Sequence, residues 1–196
     1  MTANHVIRTS QTHTMRIDCV QPAGNWGLIG MSFCPGKSQV DGLSGHWERS
    51  LAEDIAKVKA WGASIVVSLI ESHEFSELQV NALPTDVEQL GMAWRHLPIR
   101  DRYPPGYRFD ALWDEVGAEL VAALQRGGQI FIHCKGGLGR TGTIAACLLI
   151  ESGIPPAEAI KQVRTARRMT IETSLQEWYV HSYTPRLVTK EQDDAR

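Results

Sequence analysis

Hydrophobic residues follow two different spacings along this chain, and each spacing predicts one kind of element. Short apolar runs at residues 28–32, 65–70 and 129–132 are typical of strands buried inside a parallel sheet. Apolar residues three or four positions apart predict amphipathic helices. The first such stripe comprises Leu51, Ile55, Val58 and Trp61. The second is longer, ends before Gly127 and Gly128, and comprises Phe109, Leu112, Trp113, Val116, Leu120, Val121 and Leu124.

The other predicted elements complete an alternation of strands and helices. They are a strand at 16–20, a Gly/Ser/Pro-rich loop through residue 45, a helix at 85–93, a short strand leading to Asp101, and helices at 141–152, 156–167 and 174–186. Such alternation predicts an α/β fold with a central, mostly parallel sheet flanked by helices. We expect one domain at residues 15–187, with flexible segments at 1–14 and 188–196.

Candidate chemistry concentrates where the strand at 129–132 meets the following helix. The sequence there is His133-Cys134-Lys135-Gly136-Gly137-Leu138-Gly139-Arg140-Thr141-Gly142. A helix N-terminus, successive backbone amides and a nearby guanidinium all favour a thiolate at Cys134. The glycines permit several N–H groups to turn toward one tetrahedral anion. The segment therefore predicts a strand–loop–helix phosphate site with a cysteine nucleophile.

Neighbouring side chains have predicted roles in the same loop. Arg140 can close over a phosphoryl group with a bidentate fork, and the backbone and side chains of residues 135–140 are the predicted phosphate contacts. Thr141 places a hydroxyl where it could donate to the cysteine sulfur. His133 is expected to support the loop from below. Lys135 adds positive charge at the pocket mouth or is merely a solvated neighbour.

This pattern resembles the signature of the protein tyrosine phosphatase superfamily, His-Cys, five residues, Arg and Ser/Thr. The flanking residues 32–36 and 171–176 resemble the small dual-specificity phosphatases, especially the kinase-associated, cyclin-dependent kinase inhibitor 3-like group. The resemblance spans residues 25–185. It implies a metal-independent, cofactor-free phosphatase that forms a cysteinyl-phosphate on its P-loop. It also implies a phosphorylated protein as substrate and partner, with a kinase among the candidates.

The resemblance further assigns the two later catalytic roles. Asp101, in a segment that continues into Pro104 and Pro105, corresponds to the general acid that protonates the leaving group and then activates water. Gln176 corresponds to the glutamine that positions that water. The alternatives are a solvated aspartate between two arginines and an exposed helical glutamine.

Several polar residues near the signature have two interpretations. Glu71 or Glu74 could hydrogen-bond Arg140, although a solvated acid at a helix start is favoured. The basic residues Lys161, Arg164, Arg167 and Arg168 could dock acidic substrates, although a solvated face is favoured. Cys34 could trap Cys134 as a disulfide, which is the weaker hypothesis for that residue.

Other functions compete with the phosphatase hypothesis. Gly137, Gly139 and Gly142 match a dinucleotide-binding spacing, but the following Pro155-Pro156 segment starts a helix instead of the second strand that such a site needs. A phosphoinositide or small-molecule phosphatase is a minority alternative, because Leu138 stands where lipid-phosphatase loops carry a second lysine. A non-catalytic phosphoprotein-binding module is disfavoured by the intact Cys134, Arg140 and Asp101.

The composition limits the classes of protein, partner and cellular compartment that are compatible with this sequence. The 196 residues are 43% hydrophobic, enough for one well-buried core. A net charge of −2 argues against nucleic-acid binding and general membrane attraction. No apolar run approaches the ~20 residues that span a bilayer, and no secretory signal is recognisable. Because a catalytic thiolate requires reducing surroundings, we expect a cytoplasmic protein. Pocket depth separates phosphotyrosine from phosphoserine and phosphothreonine substrates, and the sequence leaves that choice open.

Overall fold

A five-stranded sheet in the order β1-β2-β7-β5-β6 forms the centre of the computed structural model, which describes residues 7–42 and 45–187. Its strands are β1 Asp18–Val20, β2 Ile29–Phe33, β5 Ala63–Ser68, β6 Ala93–His96 and β7 Gln129–Cys134. Strands β2, β7, β5 and β6 are parallel, and β1 pairs antiparallel with β2. The predicted class, a mostly parallel sheet flanked by helices, is confirmed. Since carboxyl ends of parallel strands share one edge, β2, β5 and β7 deliver their last residues to one place.

The helices in the described residues are α1 Leu51–Trp61, α2 Ser72–Glu77, α3 Leu83–Gln89, α4 Tyr107–Gln125, α5 Gly139–Glu151, α6 Pro156–Ala166 and α7 Ser174–Ser182. Helix α5 is buried along its whole length, because it packs against β2, β7, α6 and α7. A helix that is apolar on all sides belongs inside the core. This burial fixes the N-terminus of α5 directly after β7, where the phosphate loop lies.

A hairpin lies within the segment that the sequence predicts as a loop. Strands β3 Ser38–Gly42 and β4 Gly45–Glu48 pair antiparallel, so the prediction of a loop through residue 45 was wrong there. The hairpin is stabilised by the Trp47 ring, which contacts Phe33 at 5.2 Å and the ammonium group of Lys37 at 4.0 Å. These contacts join residues that are distant in sequence. The hairpin therefore lacks the alternation of apolar and polar residues that would predict its strands.

Two predicted helices end earlier than expected. Helix α3 stops at Gln89 because residues 93–96 pair with β5 as strand β6. Helix α7 stops at Ser182 because the buried Glu151 carboxylate accepts hydrogen bonds from the Tyr183 hydroxyl and from the Arg186 and Leu187 amides. These bonds draw the chain away from the helical path.

The chain before β1 is in contact with the domain where it is described. Arg8 forms a bridge with Trp47, and the Ser10 hydroxyl donates to Asp54 at 3.0 Å. The prediction that residues 1–6 and 188–196 are flexible lies outside the described residues. The domain boundaries predicted at residues 14 and 187 stay predictions. Within the described part, no helix combines the length and apolarity needed to cross a membrane.

Candidate active site

Cys134 is the last residue of β7 and lies opposite Phe33 of β2 in the parallel pairing. Its side chain is 3% exposed, and its sulfur accepts the Gly137 N–H at 3.2 Å. The loop after it turns at once into α5, so the sulfur lies near the positive end of that helix dipole. A backbone amide and a helix N-terminus both favour negative charge on the sulfur.

Gly137 is the position where this loop requires glycine. Its φ of +69° lies in the left-handed region, and an added Cβ would lie 2.2 Å from the Ser32 carbonyl oxygen. Any side chain would therefore collide with the end of β2 and push the loop away from Cys134. The close approach keeps the loop packed against the sheet edge.

Arg167 orients the loop amides from the side opposite the sulfur. Its guanidinium donates to the carbonyl oxygens of Gly137 at 2.6 Å and Gly136 at 3.2 Å, and it pairs with Asp18 at 2.8 Å. In a trans peptide unit the C=O and the next N–H point in opposite directions. Fixing these two carbonyls toward Arg167 therefore turns the N–H groups of Gly137 and Leu138 toward the cysteine.

Arg140 lies in the first turn of α5 and is 1% exposed. Its two terminal nitrogens donate to the Glu74 carboxylate at 2.5 and 3.0 Å, and Nη1 also donates to the Ile99 carbonyl at 3.1 Å. Its Nε–H has no partner among the described residues. An unpaired buried donor of this kind is suited to an oxygen of a bound anion.

Burial disfavours the charged forms of Arg140 and Glu74, but the hydrogen bonds and attraction between them outweigh this effect. Desolvation would lower the pKa of Arg140, yet hydrogen bonding to Glu74 and the nearby Cys134 raise that pKa overall. Desolvation would raise the pKa of Glu74, yet hydrogen bonding to Arg140 and its positive charge lower it overall. Both groups are therefore charged near neutral pH. The favoured interpretation of Glu74 as a solvated acid was wrong, because α2 brings it to the guanidinium.

Asp101 reaches the same guanidinium from a separate loop. Its carboxylate lies 2.9 Å from Nη2 of Arg140 and is 57% exposed. The turn that follows is tied to α7, because Thr173 Oγ1 donates to the Arg102 carbonyl and Gln176 Nε2 donates to the Tyr103 carbonyl. The structure thus places Asp101 beside Arg140, and the catalytic roles that the resemblance implies for Cys134, Arg140 and Asp101 stay predictions. A half-exposed carboxylate at the rim can approach both a leaving group and water.

Gln176 is buried and not an exposed helical residue. Its oxygen accepts the amides of Glu172 and Thr173 at 3.0 and 3.3 Å, and its nitrogen donates to Tyr103. A Cβ on Gly139 would approach its amide within 2.8 Å, so Gln176 packs directly under the phosphate loop. In this structure it links α7 to the Asp101 loop, and its predicted role toward water stays a prediction.

Glu172 is a site residue that no sequence pattern predicted. Its carboxylate accepts the Gly139 N–H at 2.8 Å, so an acidic side chain occupies one amide of the phosphate loop. The preceding Ile171 has a φ of +57°, an unfavourable value for a β-branched residue. The only sequence signal is an acidic residue inside the segment 171–176 that resembles the family.

Two predicted loop contacts differ from expectation. Thr141 is fully buried, and its hydroxyl has no hydrogen-bond partner among the described residues, so the predicted bond to the Cys134 sulfur is not formed. Lys135 places its ammonium 3.9 Å from the Glu77 carboxylate. Lys135 therefore has an acidic neighbour that offsets its positive charge, and its predicted place at the pocket mouth stays a prediction.

His133 is fully buried at the end of β7, directly before Cys134, and its predicted supporting role stays a prediction. Its Nε2 is 2.7 Å from the Ser68 hydroxyl, which accepts the Trp94 indole N–H at 2.9 Å. Because the indole can only donate, the hydroxyl is free to give its proton to His133. Burial lowers the pKa of His133 to about 3, so the ring is neutral at physiological pH.

Cys34 and Lys37 lie buried beside the nucleophile. Burial raises the pKa of the Cys34 thiol, and burial lowers the pKa of Lys37 to about 8. All four cysteines are free thiols. A neutral, fully buried Cys34 is a poor attacking thiol, and the hypothesis of a disulfide with Cys134 stays untested.

The basic residues in and directly after α6 have different roles from one another. Arg167 binds the phosphate loop, whereas Arg164 donates to the Thr170 and Ile171 carbonyls and pairs with Glu177 at 2.8 Å. Arg164 therefore holds the segment that carries Glu172, and Arg167 holds the phosphate loop. For Arg164 and Arg167, the favoured interpretation of a solvated face was wrong. Arg168 is exposed.

The fold and the loop together define a cysteine-based phosphatase of the tyrosine and dual-specificity class. Residues 43–180 match the family described as Swiss Army Knife protein, DSP-PTPase phosphatase domain. The chain belongs to this dual-specificity protein tyrosine phosphatase family, and the resemblance seen in the sequence is confirmed.

Individual relatives agree with this assignment. Cyclin-dependent kinase inhibitor 3 of Rattus norvegicus is 30% identical over 184 residues, covering 92% of this chain and 80% of the relative. Protein tyrosine phosphatase type IVA 3 of Homo sapiens is 32% identical over 138 residues, covering 70% of this chain and 73% of the relative. A crystal structure of kinase associated phosphatase with serine in place of the catalytic-site cysteine superposes with a TM-score of 0.74 at 28% identity, covering 85% of this chain and 92% of that one. The protein is an enzyme of the protein phosphatase type, and the lipid-phosphatase and binding-module alternatives are not favoured.

Proposed function

We propose that Cys134, Arg140 and Asp101 carry out phosphomonoester hydrolysis on phosphorylated proteins. The observation that carries this assignment is the convergence on one guanidinium: Arg140 extends from the loop that holds the Cys134 sulfur and lies 2.9 Å from Asp101. The Nε–H of Arg140 has no partner among the described residues and supplies one donor for the equatorial phosphoryl oxygens. The N–H groups of Gly137 and Leu138, whose peptide carbonyls face Arg167, supply others. Fixed donors around a transferring phosphoryl group are the main source of catalysis for this reaction.

The first step forms a cysteinyl-phosphate. The Cys134 thiolate attacks phosphorus while the bond from phosphorus to the leaving oxygen breaks, and Asp101 gives its proton to that oxygen. In the second step water attacks phosphorus, the phosphorus–sulfur bond breaks, and Asp101 takes the proton from water. The thiolate is regenerated, and Gln176 keeps the Asp101 loop in position through the Tyr103 carbonyl.

The proposed substrates are phosphotyrosine residues of proteins, with phosphoserine and phosphothreonine included. The names of the relatives connect them to kinases and cyclin-dependent kinase inhibition, and we propose a phosphorylated kinase as one candidate partner. A cytoplasmic location is proposed because Cys134 must stay reduced to act as a nucleophile. These assignments rest on the family and on the chemistry of the nucleophile.

The test is phosphate release from matched phosphotyrosine and phosphothreonine peptides by the reduced protein in the presence of a chelator. Cys134→Ser is expected to lower kcat by at least about a thousandfold, because it removes the nucleophile. Asp101→Asn is expected to lower kcat by about 10² to 10⁴ and to remove the basic limb of the pH–rate profile. Asp114→Asn, an exposed carboxylate on α4, serves as the matched control. Release that survives in Cys134→Ser, or a basic limb unchanged in Asp101→Asn, would contradict the assigned roles.

A further inference from the structure

A groove opens beside the Asp101 loop and is not part of the phosphate site. Its volume is about 560 Å³, and its walls come from residues 71–73, 98–100, 103–104 and 106–109. The groove lies next to the phosphate site, because Ile99 accepts a hydrogen bond from Arg140 and Arg100 directly precedes Asp101. Because the groove adjoins the Asp101 loop, we expect residues that flank a phosphorylated residue bound at Cys134 to reach it.

Two tyrosines and two arginines line the groove and face solvent. Tyr103 and Tyr107 are 43% and 79% exposed. The Arg100 guanidinium lies 4.3 Å from the centroid of the Tyr103 ring, and Arg108 Nε donates to the Tyr107 hydroxyl at 3.1 Å. Exposed aromatic and arginine side chains in one place are typical of protein-binding surfaces.

The charge of the groove favours an acidic occupant. Neither Arg100 nor Arg108 has a carboxylate partner among residues 7–42 and 45–187, whereas most other arginines near the site are paired. Within the part of the chain that the structure describes, Glu71 is the only acidic residue lining the groove, and the exposed Arg102 adds a further cation at the edge. Two unpaired guanidinium groups can each bind a carboxylate or phosphate with a bidentate fork.

We propose that this groove binds acidic residues that flank the phosphorylated residue of a polypeptide substrate. The proposal deepens the proposed function and rests on it, because it names the sequence class of the substrate for the same site. Arg100 and Arg108 would hold the acidic side chains, and the rings of Tyr103 and Tyr107 would pack against the extended backbone. The groove thus selects among phosphoproteins, whereas the phosphate loop binds the phosphoryl group common to all of them.

The experiment compares two phosphotyrosine peptides that differ only at their flanking positions, acidic in one and Asn/Gln in the other. The ratio of the two kcat/KM values is measured within each protein, so that changes in chemistry cancel. The double variant Arg100→Ala/Arg108→Ala tests the groove, and Arg126→Ala, an exposed arginine at the far end of α4, is the matched control. We expect an acidic preference of about tenfold in the wild type and the control, falling to about twofold in the double variant.

Measurements of salt dependence and of peptide binding distinguish recognition by the groove from the rate of catalysis. The acidic preference should shrink as ionic strength rises, because exposed charges are screened. Anisotropy with labelled peptides and the Cys134→Ser protein should show the same preference without catalysis. If the wild type releases no phosphate but the binding preference is present, the proposed function fails and the groove assignment stands. A double variant that keeps the preference, or a dimer of the protein that the double variant abolishes, would overturn the proposal.

Discussion

Arg167 shows how a single side chain far from the signature can determine the chemistry of the loop. Its guanidinium holds the Gly136 and Gly137 carbonyls on the outer side, and the buried pair with Asp18 fixes the guanidinium itself. The N–H groups of the same peptide units then face the site. Arg167 is therefore a positioning residue, and it acts without contact to the substrate.

Removing Arg167 should weaken anion binding more than it weakens the fold. Arg167→Ala is expected to raise the inhibition constant of inorganic phosphate by about tenfold, the equivalent of one hydrogen bond to a charged group. Arg167→Lys should restore part of this affinity, because its ammonium can reach one carbonyl. Arg168→Ala removes the same charge at an exposed neighbour and should leave phosphate inhibition unchanged. A loss of melting temperature with unchanged phosphate affinity would show that the role is structural only.

Glu172 places negative charge at an amide of a loop that must receive an anion. Its carboxylate accepts the Gly139 N–H, so a bound phosphoryl group experiences repulsion from it. Glu172→Gln keeps an acceptor for the amide and removes the charge. We expect inorganic phosphate to inhibit this variant about three- to tenfold more strongly.

The matched control for Glu172 is Glu158→Gln, which makes the same change in net charge on α6, away from the loop. Phosphate inhibition by competition with a small aryl phosphate measures both variants. Equal or weaker inhibition of Glu172→Gln would show that the carboxylate organises the loop and does not oppose the anion.

The short helix α2 carries Glu74, which pairs with Arg140 at the start of the longer helix α5. Helix α5 was predicted because its apolar run is continuous, and the strands β5 and β7 were predicted for the same reason. Cys134 and Arg140 belong to one contiguous motif, so the sequence was sufficient for both. Helix α2 has only six residues, too few for a periodic pattern, and the position of Glu74 against Arg140 depends on how β5 and β7 pair. The contacts of Arg167 and Glu172 with the phosphate loop also depend on the folded structure, and for that reason the sequence did not predict them.

The Glu74–Arg140 pair should couple α2 to the stability of the whole site. Both side chains are almost fully buried, so Glu74→Ala leaves the interior guanidinium without its buried carboxylate partner, with only the half-exposed Asp101 beside it. We expect a loss of about 3 kcal/mol in the free energy of unfolding, with a smaller loss for Glu74→Gln, which keeps an acceptor. Urea denaturation measures both, and Glu77→Ala on the exposed face of α2 is the control. Equal stability of Glu74→Ala and Glu77→Ala would contradict the coupling.

His133 is a titratable group in the core of the molecule whose charged form is disfavoured by burial. His133 is completely buried between the strand partners of β7 and takes part in the network of Ser68 and Trp94. Burial lowers its pKa from 6.5 to about 3. Above pH 6.5 the ring is neutral in both folded and unfolded chains, so it contributes no pH dependence there. Below pH 6.5 the unfolded chain binds a proton that the folded protein does not, and stability therefore falls as the pH falls.

Between pH 7 and pH 5.5 this linkage should cost about 1 kcal/mol of unfolding free energy, because only the unfolded chain is protonated in that window. Urea denaturation of the wild type and of His133→Asn across this range measures the difference in slope, since the other titrating groups contribute equally to both proteins. The wild-type curve should fall more steeply by this amount. If His133→Asn does not fold, an NMR titration of the wild-type ring should show no protonation of His133 down to pH 5. Parallel stability curves, or a ring that titrates near pH 6.5, would mean that the loop stays accessible to water and that the core beneath Cys134 is not closed.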